Sequence, residues 1–280
     1  MRRARRLSLG LATLLGYRRG WFLPYRYAAS LPGPDERRPY DFVAALLRER
    51  EAAFAEVLAM IAALAPALMK IGDDLSPAPR WRQDWFPRLD AAAAYALVRQ
   101  QRPSRITEVG SGHSTRFLAR ALADGAIACR LTAVDPAPRA ALSGLDLTLI
   151  RCPLHQAGDA PFADLAADDM LIVDSSHLLM PGSDVDQLFG RILPALTPGV
   201  RVHFHDIFLP DDYPPSWAWR GYNEQLALLA LLQGGAWRVD FASHYAATRM
   251  AKAVAGSLPA GLPLLPGAFE SSFWLTKMRG

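Results

Sequence analysis

Cysteine is scarce in this sequence, and no hydrophobic run is long enough to cross a membrane. Only Cys129 and Cys152 occur among the 280 residues. They do not form a metal-type spacing, so a reduced, cytoplasmic setting is the default. The apolar stretch from Leu7 to Leu15 is shorter than a bilayer requires. Because 51% of the residues are hydrophobic and no low-complexity tract occurs, the chain is able to bury a full core.

Acidic residues are absent from the sequence before Asp35. That segment instead contains seven arginines, which are Arg2, Arg3, Arg5, Arg6, Arg18, Arg19 and Arg26. The rest of the chain contains the other 24 basic residues and all 27 acidic residues, so its net charge is near −3. A nucleic-acid substrate is therefore not expected, because neutralising its phosphates requires basic surface around the site.

The arginine-rich N-terminus has two interpretations. Leu7, Leu11, Leu14 and Leu15 share one helical face, which is typical of a basic amphipathic helix lying on an anionic membrane. The alternative, which the sequence favours, is a helix packed on the protein's own surface or on a second subunit of a homo-oligomer. A signal peptide is not indicated, because no small-residue cleavage site follows the apolar stretch.

The first hundred residues read as an extension of the main domain. Residues 40–71 have helical spacing of leucine and alanine, with a break expected at Pro66. The aromatic residues Trp81, Trp85 and Phe86 then form either a lid or simple packing. We expect residues 1–100 to be a basic, helical extension that covers the cleft or makes an oligomer interface. Residues 101–280 are then the main domain.

A glycine-rich turn follows the first strand predicted in the main domain. Residues 108–115, Glu-Val-Gly-Ser-Gly-His-Ser-Thr, join an apolar strand to a helix over 114–123. Glycine lets the backbone turn tightly and leaves no Cβ in the way of a ligand. The next strand ends at Asp135, where an acid can accept hydrogen bonds from both hydroxyls of a ribose. This pattern predicts a site for a nucleoside-containing cofactor.

Strands and helices alternate from residue 106 onward. Strands are predicted at 106–109, 130–134, 147–152, 170–174, 200–205, 237–243 and 272–276, with helices between most of them, including a short one near 137–143. The alternation predicts an α/β fold with a doubly wound, mainly parallel, seven-stranded sheet. A proline- and glycine-rich segment separates the last two strands, so we expect the last strand to be antiparallel.

Acids and histidines follow the fourth and fifth predicted strands. Asp174 and His177 come after the fourth strand, and His205 and Asp206 come after the fifth. The carboxyl ends of parallel strands meet at the edge of the sheet where ligands bind, so these four groups are expected to converge. Three roles stay open: proton transfer by His177, His205 or Asp206, a divalent metal such as Mg²⁺ on Asp174, His205 and Asp206, or structural hydrogen bonds.

Two loops near these strand ends offer further candidates. Asp211, Asp212, Tyr213 and Trp217 form an acidic and aromatic loop past the fifth strand, whose position favours recognition of a polyhydroxylated substrate. His113 lies inside the glycine loop, where it is either a cofactor or substrate contact or an exposed loop residue.

The motif E-x-G-x-G-x-S at Glu108–Ser114 resembles the first motif of class I S-adenosylmethionine (SAM)-dependent methyltransferases. A dinucleotide-binding loop would instead require a third glycine where Thr115 stands. Asp174 with His177, and His205 with Asp206, resemble a branch of the family that has D-G-x-H after strand four and H-D after strand five. The resemblance covers roughly residues 100–245 and 270–277.

The resemblance implies methyl transfer from SAM to a hydroxyl of a small molecule or a glycan. Glu108 and the glycine loop would hold the amino-acid end of SAM, and Asp135 would hold the ribose hydroxyls. Some relatives also hold a divalent metal with acids at the positions of Asp174 and Asp206. The implied cofactor-binding residues are Glu108, Gly110, Ser111, Gly112, Ser114, Asp135 and Asp174.

Two other functions remain alternatives at this point. An NAD-dependent oxidoreductase agrees with the glycine loop and Asp135, but disagrees with Thr115 and with an antiparallel last strand. A non-catalytic subunit that uses the same fold as an interaction platform is the second, although Glu108 and Asp135 argue against loss of the cofactor site.

Overall fold

The computed structural model describes residues 2–17, 19–72 and 75–279, so that Arg18, counted above, lies outside the described residues. The chain divides into two compact units, Met1–Arg37 and Arg38–Gly280. The first unit contains helix α1 (Arg2–Leu14) and two 3-10 turns at Ala28–Ser30 and Pro34–Glu36. Within the described ranges, no helix is both long enough and apolar enough to cross a membrane.

The second unit contains the sheet and the remaining helices. The helices are α2 (Asp41–Arg48), α3 (Glu51–Ala63), α4 (Ala65–Leu68), α5 (Arg88–Gln101), α6 (His113–Asp124), α7 (Leu154–Ala157), α8 (Ala160–Ala163), α9 (Asp184–Gln187), α10 (Leu193–Ala195), α11 (Glu224–Gln233), α12 (Ser243–Arg249) and α13 (Ala251–Ala255). A π-helical turn at Leu188–Ile192 joins α9 to α10, and 3-10 turns occur at Pro215–Arg220 and Leu258–Gly261.

Seven strands form one sheet. They are β1 (Arg105–Val109), β2 (Arg130–Val134), β3 (Thr148–Ile150), β4 (Met170–Val173), β5 (Arg201–Phe204), β6 (Trp237–Ala242) and β7 (Phe273–Lys277). Their order is β3-β2-β1-β4-β5-β7-β6. The first five strands are parallel to their neighbours, whereas β7 runs antiparallel to both β5 and β6. The predicted mainly parallel sheet with an antiparallel last strand is confirmed.

The middle strand, β4, is apolar because helices cover both faces of the sheet. Every residue of β4 is buried, as expected for a parallel strand in the middle of an α/β sheet. The parallel pairing places the carboxyl ends of β1, β2, β4 and β5 at one edge. This edge is where ligands bind in open α/β sheets.

The helices before the sheet belong to the same unit as the sheet. Helix α3 packs against β6 and α5, so the compact unit extends well before the expected boundary at residue 100. The expected helical run over residues 40–71 forms the three helices α2, α3 and α4, and Pro66 lies in the first turn of α4, where its missing N–H is tolerated. The role of residues 1–100 as a lid or an oligomer interface stays a prediction.

The helix predicted near residues 137–143 is wrong. These residues form bends and irregular backbone, with a turn that begins at residue 143, and two of their backbone donors are used by other groups. The N–H of Ala137 donates to Asp135 Oδ1 (2.7 Å), and the N–H of Arg139 donates to the carbonyl of Ser111 (3.2 Å). Pro138 between them has no N–H to contribute to a helix.

Candidate active site

The loop between β1 and α6 turns at Gly110. Its φ of +83° is in the left-handed region, and a Cβ at this position would lie 1.8 Å from the carbonyl oxygen of Asp174. Only glycine avoids both the conformational cost and the collision. The requirement for glycine here thus comes from the close approach of the β4 end, which brings the glycine loop into contact with the segment that contains Asp174.

Glu108 fastens the glycine loop to the end of β1. The residue is fully buried, and its two carboxyl oxygens contact Ser114 Oγ (2.6 Å) and Thr115 Oγ1 (2.6 Å). Thr115 Oγ1 also accepts a hydrogen bond from the N–H of Gly112 (2.9 Å). Thr115 therefore satisfies the backbone N–H of Gly112, the residue before α6.

Burial determines the protonation of this carboxyl group. Loss of solvent raises the pKa of Glu108 to about 8, against the lowering effect of the Ser114 and Thr115 hydroxyls. Glu108 is therefore mainly protonated at neutral pH, and its O–H can donate to one of the two hydroxyls. That hydroxyl then has its own proton free to donate elsewhere.

Asp135 lies at the carboxyl end of β2, beside the same loop. Its Oδ2 accepts a hydrogen bond from Ser111 Oγ (2.8 Å), and its Oδ1 accepts one from the N–H of Ala137 (2.7 Å). Each carboxylate oxygen has a second lone pair left for a ligand hydroxyl. The loop and the strand end thus present Asp135 in the place that the sequence predicts.

His113, the first residue of α6, is not an exposed loop residue. It is 9% exposed, and its Nδ1 has no hydrogen-bond partner among the described residues. Burial and the charges of Arg116 and Arg80 lower the pKa of His113 to about 4. The imidazole is therefore neutral at pH 7.

His177 lies at the centre of the second group of residues. Its Nε2 is 3.4 Å from Asp174 Oδ1 and 3.4 Å from Asp206 Oδ2, and its side chain is 1% exposed. Both His177 and Asp206 have left-handed φ values, 59° and 58°. Such conformations cost a non-glycine residue about 1–2 kcal/mol and concentrate at functional sites.

Glu224, which the sequence analysis missed, holds the other side of this imidazole. Its Oε2 lies 2.9 Å from His177 Nδ1, and the backbone N–H of Glu224 donates to the His177 carbonyl (3.2 Å). Glu224 begins α11 and is the one charged residue of a helix otherwise rich in leucine and alanine. That contrast was the available signal, but the helical pattern alone did not show that Glu224 faces the sheet edge.

His205 is oriented by a different set of groups. Its Nε2 lies 2.9 Å from the carbonyl oxygen of Trp85, so Nε2 must carry a proton, because a carbonyl only accepts. Its Nδ1 is 3.9 Å from Oδ2 of Asp90, a fully buried acid at the start of α5 that the sequence analysis also missed. Asp90 in turn accepts hydrogen bonds from the N–H groups of Ser271 and Ser272.

Opposite charges set the protonation of this cluster. Burial by itself lowers an imidazole pKa, but hydrogen bonds to Asp174 and Glu224 and the charge of Asp206 raise the pKa of His177 well above its usual range. Burial by itself raises the pKa of Asp174, but the hydrogen bond from His177 and the charge of His205 lower it below its usual range. The directions of both pKa shifts favour an imidazolium at His177 between carboxylates, and a role of His177 in proton transfer stays a prediction.

A divalent metal on Asp174, His205 and Asp206 does not fit this arrangement. His177 Nε2 lies between the two carboxylates, and His205 Nε2 is committed to the Trp85 carbonyl. Over the residues that the structure describes, no group of three or more His, Cys, Asp or Glu side chains is arranged to hold a metal ion. The positive charge beside Asp174 and Asp206 comes instead from the side chain of His177.

An aromatic wall borders Asp206. The guanidinium of Arg220 lies 3.9 Å from the ring centroid of Trp217, and Arg220 Nη1 is 3.9 Å from Asp206 Oδ2. The ring of Tyr222 lies 4.6 Å from the ring of His177. These side chains give the cluster a flat, cationic and aromatic border.

The acids of the loop past β5 have structural partners. Asp211 contacts His244 Nε2 (2.7 Å) and Arg249 Nη1 (2.6 Å). Asp212 Oδ1 accepts hydrogen bonds from the N–H of Tyr213 (2.8 Å) and from Gln225 Nε2 (3.3 Å). Recognition of a substrate by this loop stays a prediction, and Trp217 is its best placed member.

Comparison with known proteins gives one family match and several structural similarities. Residues 107–207 match the model of a methyltransferase domain. No curated protein matches the sequence. The structure named "CmcI-N160 apo-structure" is 16% identical, with coverage of 77% of this chain and 84% of that chain and a TM-score of 0.44.

Two further solved structures carry methyltransferase names. The O-methyltransferase TomG from Streptomyces achromogenes in complex with SAM is 18% identical, with 80% of this chain and 90% of that chain covered and a TM-score of 0.41. The Podospora anserina methyltransferase PaMTH1, bound to S-adenosylhomocysteine (SAH), is 16% identical, with 93% and 100% covered and a TM-score of 0.43. None of these TM-scores reaches 0.5, so they add no argument to the family match.

The matched segment runs from β1 to the end of β5 and includes the glycine loop, Asp135, His177 and Asp206. The sheet has the antiparallel β7 between β5 and β6, which the NAD-dependent oxidoreductase alternative does not explain. The chain thus contains a match to a methyltransferase domain over residues 107–207, within a sheet that has the antiparallel last strand expected from the sequence.

Proposed function

We propose that the enzyme methylates a hydroxyl group of a small molecule or a glycan. The observation that carries this proposal is the contact between the glycine loop and the acid–imidazole cluster, since the Asp174 carbonyl lies against Gly110. A methyl donor on the loop and a hydroxyl on the cluster would be neighbours. Such alignment is the main requirement of a direct methyl transfer.

The chain's own residues fit the cofactor. Asp135 would accept hydrogen bonds from the ribose hydroxyls, and the side-chain-free backbone at Gly110 and Gly112 would lie against the ligand. Glu108, protonated and buried, would act as a positioning residue that aims Ser114 at the amino-acid end of the cofactor. When bound, SAM supplies the electrophilic methyl group.

Asp174 is the best placed group to receive the proton of the acceptor hydroxyl. Its side chain is 23% exposed, against 10% for Asp206 and 1% for His177. The hydroxyl oxygen gains the methyl group and becomes strongly acidic as it does so, so even a weakly basic carboxylate can take its proton. His177, Glu224 and Asp206 hold that carboxylate in place.

The assigned roles use no metal. The imidazolium of His177 supplies the positive charge between Asp174 and Asp206, while His205 Nε2 donates to the Trp85 carbonyl. Methyl transfer measured in EDTA and in Mg²⁺ tests this point directly, with equal rates expected. A rate that depends on Mg²⁺ would restore the metal role of Asp174, His205 and Asp206.

Calorimetric titration with SAM, SAH and NAD⁺ tests the cofactor site. We expect micromolar binding of SAM and SAH, no binding of NAD⁺, and loss of binding in Asp135→Ala. Asp146→Ala is the matched control, because Asp146 is an exposed aspartate in the segment between β2 and β3. Equal effects of the two substitutions would contradict the role of Asp135, and failure of the wild-type protein to bind SAM would favour the interaction-platform alternative.

Release of SAH from a panel of phenols and glycosides tests the hydroxyl acceptor. Analogues in which the hydroxyl is replaced by hydrogen are the controls, and they should give no turnover. Methylation of amines or thiols at equal rates would contradict assignment as an O-methyltransferase.

A further inference from the structure

The N-terminal unit exposes large apolar side chains along its whole length. None of its described side chains, from Ala4 to Arg37, is buried. In and just after α1, Leu7 is 66% exposed, Leu14 is 60% exposed and Leu15 is 78% exposed. An apolar surface of this kind, with no covering element, marks an interaction site.

Helix α1 separates its charged and apolar residues. Leu7, Leu11 and Leu14 fall on one face at helical spacing, whereas Arg5 and Arg6 fall on the opposite face. The helix has 13 residues, which is too short to span a bilayer but suits a helix lying in the interface plane.

The segment after α1 repeats this combination without a helix. Residues 21–27, Trp-Phe-Leu-Pro-Tyr-Arg-Tyr, expose all of their large side chains, and the Arg26 guanidinium lies 5.4 Å from the ring centroid of Tyr27. Tryptophan and tyrosine favour the membrane–water interface, where the ring is apolar and its polar atom reaches water. Two neighbouring segments of different structure thus have the same interfacial chemistry.

Charge identifies the partner that fits both segments. Seven arginines and no acid precede Asp35, so the surface complements an anionic one. We propose that residues 4–31 bind the surface of an anionic lipid bilayer, with the leucine face and the aromatic side chains inserted and the arginines at the headgroups. The proposal does not depend on the methyltransferase reaction, because it concerns a different unit of the chain.

Vesicle flotation of the full-length protein, without cofactor, tests the proposal. We expect binding to phosphatidylcholine vesicles that contain about 30% phosphatidylglycerol, and much weaker binding to pure phosphatidylcholine. Binding should also fall steeply in high salt, which screens the arginine–headgroup attraction. Equal binding to both vesicle types, or no binding to either, would overturn the proposal.

Two sets of substitutions separate the charged and the apolar contributions. Arg5→Gln with Arg6→Gln should weaken binding about 25-fold, at about fivefold for each arginine. Leu7→Gln, Leu11→Gln and Leu14→Gln together should weaken it about 100-fold or more. Leu75→Gln, at a leucine that is 90% exposed in the other unit, is the control and should leave vesicle binding unchanged.

A second copy of the chain on this surface, in place of a lipid bilayer, would give a different result. Light scattering that shows a dimer in the wild type and a monomer in the triple leucine variant, without vesicle binding, would overturn the proposal in favour of an interface between copies. Unchanged thermal unfolding of all variants shows that the comparison is made on folded protein. Loss of vesicle binding with intact SAM binding would leave the cofactor site untouched and support the proposal.

Discussion

The two halves of the active site are built from contacts of very different range. In the glycine loop, Glu108 reaches Ser114 and Thr115, six and seven positions along the chain. In the acid–imidazole cluster, His177 reaches Glu224 47 positions away, and Asp90 contacts Ser271 181 positions away. The first half is local structure, whereas the second exists only once the sheet has assembled. Substitutions in the cluster should therefore cost the fold more than substitutions in the loop.

The largest effect is expected from His177→Gln. The change leaves Asp174 and the buried acids Asp206 and Glu224 without their shared cation, and breaking such a buried pair costs about 3–5 kcal/mol. Urea unfolding measures the loss of stability, and SAH release should fall by about 100-fold or more. His155→Gln, at an exposed histidine, should change neither quantity. A stable and active His177→Gln enzyme would mean that the cluster does not act as a unit.

A double-mutant cycle sharpens this result. The variant with both His177→Gln and Glu224→Gln removes the imidazole and also the acid that faces its Nδ1. It therefore leaves one unpaired charge fewer than His177→Gln alone. Its loss of unfolding free energy should fall short of the sum of the single losses by about 1–3 kcal/mol. Additive losses would indicate that the contact seen between His177 and Glu224 carries no coupling.

Gly110→Ala should have the largest effect within the loop, about 2–4 kcal/mol, because it adds a collision with the Asp174 carbonyl to a left-handed φ. Gly221→Ala is the matched control, since Gly221 is also left-handed (φ 69°, ψ 21°) but has no atom within 4 Å of the place where a Cβ would lie. That control should cost about 1–2 kcal/mol from conformation alone. Equal losses in chemical denaturation would show that the approach of β4 to the loop is not a constraint.

The sequence separation of the contacts in each half of the site explains which features the sequence could predict. The glycine loop, Asp135 and the strand ends were predictable, because strand pattern and motif spacing determine them within about one strand–helix–strand unit. Glu224 and Asp90 were not, since each lies in a helix whose periodicity does not say which titratable group of the sheet it faces. The convergence of His177 with Asp206 followed from strand topology, but the imidazolium state depended on the missed Glu224. The helix predicted at 137–143 was wrong for a different reason, because Asp135 and Ser111 accept hydrogen bonds from two of its backbone N–H groups.

Thr115→Val should cost about 2 kcal/mol, which is at the upper end for a helix cap. The substitution keeps the branched shape but removes the hydroxyl that contacts both Glu108 and the N–H of Gly112. Thr115→Ser keeps that hydroxyl and is the control, with a loss of about 1 kcal/mol from the buried methyl group that it removes. Thermal or urea unfolding compares the three proteins, and a Thr115→Val variant that is as stable as the wild type would show that the hydroxyl does not stabilise the loop.

The smallest effect is expected from Glu108→Gln, measured as the change in unfolding free energy over a single pH unit. Burial raises the pKa of Glu108 to about 8 in the folded protein from 4.5. A carboxyl group with a raised folded pKa stabilises the fold below its unfolded pKa, and this stability is lost as the pH rises towards 8. The slope is at most about 1.4 kcal/mol per pH unit, because one proton is involved.

Glutamine has the same shape and no proton to lose, so the difference in unfolding free energy between the wild type and Glu108→Gln should decrease from pH 5 to pH 8 and stay constant above. Parallel curves in urea titrations across this range would show that Glu108 is ionised in the folded protein, and the loop would then be held by a carboxylate instead of a protonated acid.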